Sequence, residues 1–285
     1  MSRPLREVIT YLAIAFSLAI GTAVTLPHAG IGVLLSAFLP VITVLVITFT
    51  TTPPGSRRNL WGSFGLNRSG KNVWAIALVV PMLLAPAAYA MAVALGVADL
   101  RDLDLTSSAA VSWTLVLLSN LVLMAVMFLG EEIGWRGYLL PRIQQLTSRR
   151  RAALVTGLFH GCFHLPLILI ATTYDEFGSR WFVAPMVVAV ITLGGVFYAY
   201  LWDRSHSVWA VSIAHGAVNI AFGLGAAAVV GSETGLAYVA GESGVATLAV
   251  VAVVAGLLLG RAKVWRTPAS AVAEDRRRVP VRAGV

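Results

Sequence analysis

The run Phe128-Leu-Gly-Glu-Glu-Ile-Gly-Trp-Arg-Gly-Tyr138 sets two carboxylates, Glu131 and Glu132, and a guanidinium, Arg136, at the end of an apolar stretch that begins near Val111. Ionisable groups inside an apolar segment are costly and mark chemistry or an internal ion pair. Two further polar pairs lie in later apolar segments, His160 with His164 and His215 with Asn219. Carboxylates and imidazoles gathered in a dry site suit proton transfer to and from water. The residues point to hydrolysis inside a membrane.

Residues four apart on a helix share a face, so Glu132 and Arg136 are expected to pair as structural support. Glu131 is then free to point elsewhere, as a general base. Gly130, Gly134 and Gly137 remove bulk around the same turns and let a neighbouring helix approach. His160 and His164 are one turn apart, as are His215 and Asn219, so each pair can turn two polar groups to a bundle interior. At 1.5 Å per residue, Glu131 lies roughly 10 to 15 Å in from a turn at Pro141, His164 roughly 18 Å in from Ala152 and His215 roughly 10 Å in from Val208. The three can meet at one depth. For His160 taken alone the plain reading is a hydrogen-bonded packing residue. His28 and His206 sit near loops and carry no assignment. Cys162, the single cysteine, has no intramolecular disulfide partner and reads as packing.

The elements that must carry these groups are apolar throughout. The chain has 285 residues, is 58% hydrophobic and 12% charged, and has a mean hydropathy of +0.82. A soluble domain carries about twice that charge. The apolar residues fall in blocks of about twenty, the length of a membrane-crossing helix. The expected fold is an all-α polytopic transmembrane bundle with about eight spans, near residues 8–26, 30–50, 73–97, 111–138, 152–173, 181–202, 208–230 and 237–260. Runs such as Val79-Val-Pro-Met-Leu-Leu-Ala85 do not alternate as the strands of a β-barrel would, which favours helices. The first span lacks a small-residue cleavage site and reads as a retained helix. Residues 1–110 would hold three N-terminal spans, 111–230 the core with the polar clusters, 231–260 the last span and 261–285 a basic, non-periodic tail.

The formal net charge of +8 is not a nucleic-acid footprint. Arg3, Arg6, Arg57, Arg58, Arg68, Lys71, Arg142, Arg149, Arg150, Arg151, Arg204 and the tail from Arg261 onward occupy the termini and every second loop. The alternate loops hold Arg101 and Arg180 beside Asp99, Asp102, Asp104, Asp175, Glu176 and Glu233. This is the positive-inside pattern, which puts both termini in the cytoplasm and the tail within reach of anionic lipid. The arginine-heavy, lysine-poor, alanine-rich composition suits a bacterial plasma-membrane protein.

The motifs resemble those of the CAAX-processing and bacteriocin-processing membrane endopeptidases, the CPBP or Abi family, which includes the Ras-converting type of CAAX protease. The first motif, Glu-Glu-x-x-x-Arg, is Glu131-Glu132-Ile-Gly-Trp-Arg136, followed by Gly137-Tyr-Leu-Leu-Pro141. The second ends in His164-Leu-Pro166, and the third, His-x-x-x-Asn, is His215-Gly-Ala-Val-Asn219, preceded by Ser207-Val-Trp209. The resemblance covers roughly Val111 to Val230. It implies peptide-bond hydrolysis of a membrane-associated or prenylated-type peptide, with Glu131 and His164 activating a water and His215 and Asn219 stabilising the oxyanion. Family members have been described both as metalloproteases and as metal-free glutamate enzymes. The favoured expectation here requires no cofactor; a Zn²⁺ or other divalent ion, if used, would be held by Glu131, His164 and His215. His-Glu-x-x-His, the zinc-protease pattern, is absent. One departure stands out: the aromatic residue usual four places before the second-motif histidine is His160 here, which leaves it open as an additional ligand or a proton relay.

Competing readings are weaker. Gly241-Glu-Ser-Gly244 hints at a serine protease, but no histidine follows Ser243; Tyr174-Asp175 hints at an aspartyl type, but that aspartate falls in an expected outer loop and has no transmembrane partner. A transporter would show paired broken helices in two related halves, and none is evident. A non-catalytic scaffold or immunity protein that keeps the protease fold remains the alternative. The partners expected are a peptide or protein substrate in the membrane and the lipid itself, with no nucleic acid.

Overall fold

The structure is a computed structural model and describes residues 1–26, 30–102, 106–171 and 178–265. His28, Asp104, Asp175, Glu176 and the tail from Arg266 onward lie outside the described residues. The chain forms an all-α bundle: α1 (Arg3–Thr25), α2 (Gly30–Ser36), α3 (Leu39–Thr50), α4 (Pro54–Gly62), α5 (Trp74–Ala94), α6 (Ser107–Glu132), α7 (Leu140–Ile143), α8 (Arg149–Phe163), α9 (Leu165–Leu169), α10 (Arg180–Ser205), α11 (Val208–Ala227), α12 (Glu233–Val239) and α13 (Val245–Arg261). Among the described residues six helical segments are long and apolar enough to cross a membrane, and α3 and α13 are shorter apolar helices. Helix α6 leaves Leu115, Val116, Leu118, Val122, Leu123 and Val126 exposed, an apolar surface that lipid must cover. With this family of apolar helices the protein is an integral membrane protein.

Four of the expected spans are interrupted, and each interruption has a local cause. The second divides into α2 and α3, because Pro40, at the start of α3, has no N–H to continue a preceding helix. The fifth divides at His164: Pro166 ends the hydrogen-bond ladder of α8, and the chain turns through His164 (φ −79°, ψ −17°) into α9. The last span does not run continuously from 237. A break at Ala240–Gly244 separates α12 from α13, with Thr247 Oγ1 donating to the carbonyls of Ala240 (3.0 Å) and Gly241 (2.8 Å). In the fourth, α6 stops at Glu132 and a π-helical stretch, Ile133–Leu139, carries the chain into α7. Wide π turns are rare and concentrate at functional sites.

All seven residues of the π stretch are buried. A Cβ on Gly134 would run into Pro40 and the Tyr11 hydroxyl, so this glycine is what admits α1 and α3 to the stretch. Tyr11 meets Trp135 edge-on at 5.6 Å and stacks on Tyr138 at 5.2 Å. At the same end Arg142 donates to Glu7 (2.7 Å) and to the Tyr138 carbonyl (2.8 Å).

Helix α8 is held against α10 through Gly157 and Gly161. A Cβ at Gly157 would lie 2.5 Å from the Thr192 carbonyl oxygen, and one at Gly161 would lie 2.9 Å from Val188 Cα. Small residues four apart allow such close backbone approach. Gly157→Ala is therefore expected to destabilise the protein by about 1–3 kcal/mol through overpacking. Gly194→Ala, where nothing lies within 4 Å, should leave the thermal unfolding of the detergent-solubilised protein unchanged. Equal unfolding temperatures for the two variants would refute this account of the crossing.

Helix α11 packs on α5 and α6. Ser207 caps its first turn by accepting from the Ala210 N–H, and the Ser212 hydroxyl donates to the Ala125 carbonyl of α6. Trp209 Nε1 donates to the Leu66 carbonyl at 2.9 Å. At the opposite end of the helix, two three-residue strands that composition did not announce, β1 (Ala98–Leu100) and β2 (Val229–Gly231), pair antiparallel with Asp99 opposite Val230. They tie the segment after α5 to the segment after α11.

Candidate active site

Three interrupted or closely packed elements deliver the polar residues to one cavity of about 950 Å³ inside the bundle. The end of α6 brings Glu131, the kinked end of α8 brings His160 and His164, and α11 brings His215 and Asn219; all five line the cavity. The remaining wall is largely apolar, from residues such as Pro81, Met127, Val187 and Phe222, and among the described residues no Lys or Arg lines it. Glu242 and Ser243 of the α12–α13 break also face it.

The two carboxylates divide as their spacing implies. Glu132 and Arg136, both fully buried, pair at 3.0 Å between Oε1 and Nη1. The same Glu132 oxygen lies 2.8 Å from His215 Nδ1, so the support extends to a histidine the sequence placed in the catalytic group. His215 is clamped between Phe128 (4.0 Å between ring centres, 11° between planes) and Tyr198 (5.3 Å, 25°). Its Nδ1 hydrogen is directed at Glu132, which leaves Nε2 as the ring's other polar atom. Asn219 Nδ2 donates to the His215 carbonyl at 3.1 Å, one turn back on α11.

Glu131 is bonded instead to His160, with Oε2 2.8 Å from Nε2. His160 is 1% exposed and stacks on Trp135 at 4.9 Å and 25°. Its Nδ1 lies 3.1 Å from Arg136 Nη1. His164 sits beside it, with 5.5 Å between the ring centres. His160, open in its role from sequence, is thus at the centre of the cluster. Tyr198 also belongs to the site, under the Arg136 guanidinium at 4.8 Å and against His215. It stands in an apolar run, Phe197-Tyr198-Ala-Tyr200, with no spacing that sets it apart from a packing residue. Trp135 and Phe128 carry a faint signal, since they flank the charged residues in the first motif.

The donors themselves decide whether a metal fits. One ligand atom each from Glu131, His160 and His164 lies within 4.8 Å of the others, so the set that converges is not the expected Glu131, His164 and His215. A metal-bound histidine ordinarily donates its second ring N–H to an acceptor. The second nitrogen of His160 faces arginine, which only donates. For Nε2 to bind a cation here the ring would have to lose both protons. As a three-residue set the cluster does not fit a metal, and no step is routed through one.

The stretch that carries these residues is similar to known proteins. Residues 111–221 match the family model described as type II CAAX prenyl endopeptidase Rce1-like. That stretch contains every residue of the cluster. A curated relative, CAAX prenyl protease 2 of Methanococcus maripaludis, is 25% identical over 147 residues, 50% of this chain. The chain spans about half of that relative's length, 54%. Over residues 111–221 the chain is thus similar to the type II CAAX prenyl endopeptidases, and that stretch carries the three ordered motifs.

Proposed function

We propose that the protein is an intramembrane endopeptidase that hydrolyses a peptide bond of a membrane-associated or prenylated-type peptide with a water activated by Glu131. The observation that carries this reading is the meeting of Glu131, His164, His215 and Asn219 on one largely apolar cavity. Glu131 takes a proton from a water that His164 helps to hold, and the water oxygen attacks the carbonyl carbon of the substrate. The carbonyl π electrons move to oxygen, giving a tetrahedral oxyanion. Asn219 Nδ2–H and the outward-facing Nε2 edge of His215, whose ring Glu132 holds through Nδ1, face that oxyanion where bulk water is excluded. Collapse re-forms the carbonyl, the C–N bond breaks, and Glu131 returns the proton to the leaving nitrogen. The glutamate ends ionised, as it began.

Orientation follows the charge pattern. The Arg142–Glu7 pair and the bond from Arg149 to the Val264 carbonyl gather the start of α1, the α7–α8 turn and the segment after α13 at one end of the bundle. We assign that end to the cytoplasm of a bacterial plasma membrane.

The test is cleavage of a lipid-anchored peptide by the purified protein in vesicles, with products read by mass spectrometry. Wild type should yield two fragments from one bond, and His164→Ala should be slowed by about 10²-fold or more. Activity should survive chelation after metal removal is verified by elemental analysis. No cleavage of any lipid-anchored peptide by wild type would favour the scaffold or immunity reading. Loss of activity on chelation, restored by Zn²⁺, would overturn the metal-free mechanism.

A further inference from the structure

The geometry points to His160 as the positioning residue for Glu131, held by Arg136 in the one tautomer that can do so; this rests on the glutamate-activated hydrolysis proposed above. Arginine donates hydrogen bonds and never accepts them. At 3.1 Å from Arg136 Nη1, His160 Nδ1 must therefore present a lone pair. The ring proton sits on Nε2, and Nε2–H donates to Glu131 Oε2 across 2.8 Å. Both bond directions follow from the donor-only chemistry of one guanidinium nitrogen.

That nitrogen has two hydrogens and uses both. One goes to Glu132 Oε1 at 3.0 Å and the other to His160 Nδ1 at 3.1 Å. Arg136 Nη1 thus joins the half of the site that holds His215, through Glu132, to the half that holds Glu131, through His160. The ring cannot swing away, because it is 1% exposed and lies on Trp135. With Oε2 of Glu131 fixed, Oε1 carries no hydrogen bond among the described residues and is the oxygen left for the water. Positional error of about 1 Å in a catalytic group costs roughly 10²-fold in rate, which sets the size of the effect.

The plain alternative is that His160 is a ring that packs on Trp135, and two variants separate the readings. His160→Phe keeps the ring and its stacking but deletes both hydrogen bonds. His160→Gln deletes the ring but keeps both bonds, since its Oε1 can accept from Arg136 and its Nε2–H can donate to Glu131. Positioning predicts that His160→Phe lowers kcat by about 10²-fold with KM nearly unchanged, and that His160→Gln recovers most of the loss. His160→Phe turning over at the wild-type rate, or His160→Gln no faster than His160→Phe, would overturn it. Glu131→Gln is the control: if it cleaves as fast as wild type, the glutamate reading itself fails, whereas a slow Glu131→Gln beside a fully active His160→Phe rejects only the role of His160. Should either His160 variant fail to fold, nitrogen NMR of histidine-labelled wild type decides. His160 should show a protonated Nε2 and a bare Nδ1; a protonated Nδ1 would overturn the inference.

Discussion

Glu131→Gln is expected to lower kcat for peptide cleavage by about 10² to 10⁴-fold, the usual contribution of a general base. The substitution is close to isosteric, and the glutamine Oε1 can still accept from His160 Nε2–H, so the bundle and cavity should be unchanged. What disappears is the basicity that takes the proton from water. KM should change little, because Glu131 acts on the attacking water rather than on the bound peptide. A variant with normal kcat and a raised KM would instead make Glu131 a binding residue, and the roles assigned across the cluster would have to be redrawn.

Arg136→Met should give the largest loss of stability. Arg136 and Glu132 are both fully buried, and removing one partner of a buried ion pair costs about 3–5 kcal/mol, because the other charge stays behind in the dry interior. The same substitution removes the donor to His160 Nδ1 and the guanidinium over Tyr198. Thermal unfolding in detergent should fall sharply, and cleavage should be lost even where the protein remains folded. Combining Arg136→Met with Glu132→Gln should restore part of the stability, since the uncompensated charge is gone, but not the activity. Arg3→Met makes the contrast: Arg3 is 82% exposed in its pair with Glu7, and such surface pairs contribute about 0–1 kcal/mol. If Arg136→Met unfolds at the same temperature as Arg3→Met, the buried hub is not what holds the site together.

The polar residues that line the cavity were legible in the sequence because charge inside apolar blocks is rare and needs no structure to be noticed. The Glu132–Arg136 pair followed from helical spacing, even though the intervening backbone turned out to be π-helical rather than α-helical. The meeting of Glu131, His164 and His215 was foreseen from depth along their spans. Which imidazole pairs with which carboxylate was not, because depth gives no angle about a helix axis. The rotation of α8 is set by Gly157 and Gly161 against Val188 and Thr192, and it turns His160 toward Glu131. His215 is turned by Phe128 and Tyr198 toward Glu132. The helix breaks beside Pro40 and Pro166 had a visible cause in proline that hydropathy alone passes over. The β1–β2 pair had none, since three-residue strands depend on the loops that the bundle brings together.

In the proposed mechanism the oxygen that enters the product comes from water activated by Glu131. A single turnover of the purified protein in vesicles, run in water enriched in heavy oxygen and analysed by mass spectrometry, measures this directly. The prediction is one heavy oxygen in the new carboxylate of the first-turnover product and none in Glu131. A first-turnover product with an unlabelled new carboxylate, with the label appearing in Glu131 instead, would show that the glutamate attacks the peptide itself and would contradict the mechanism.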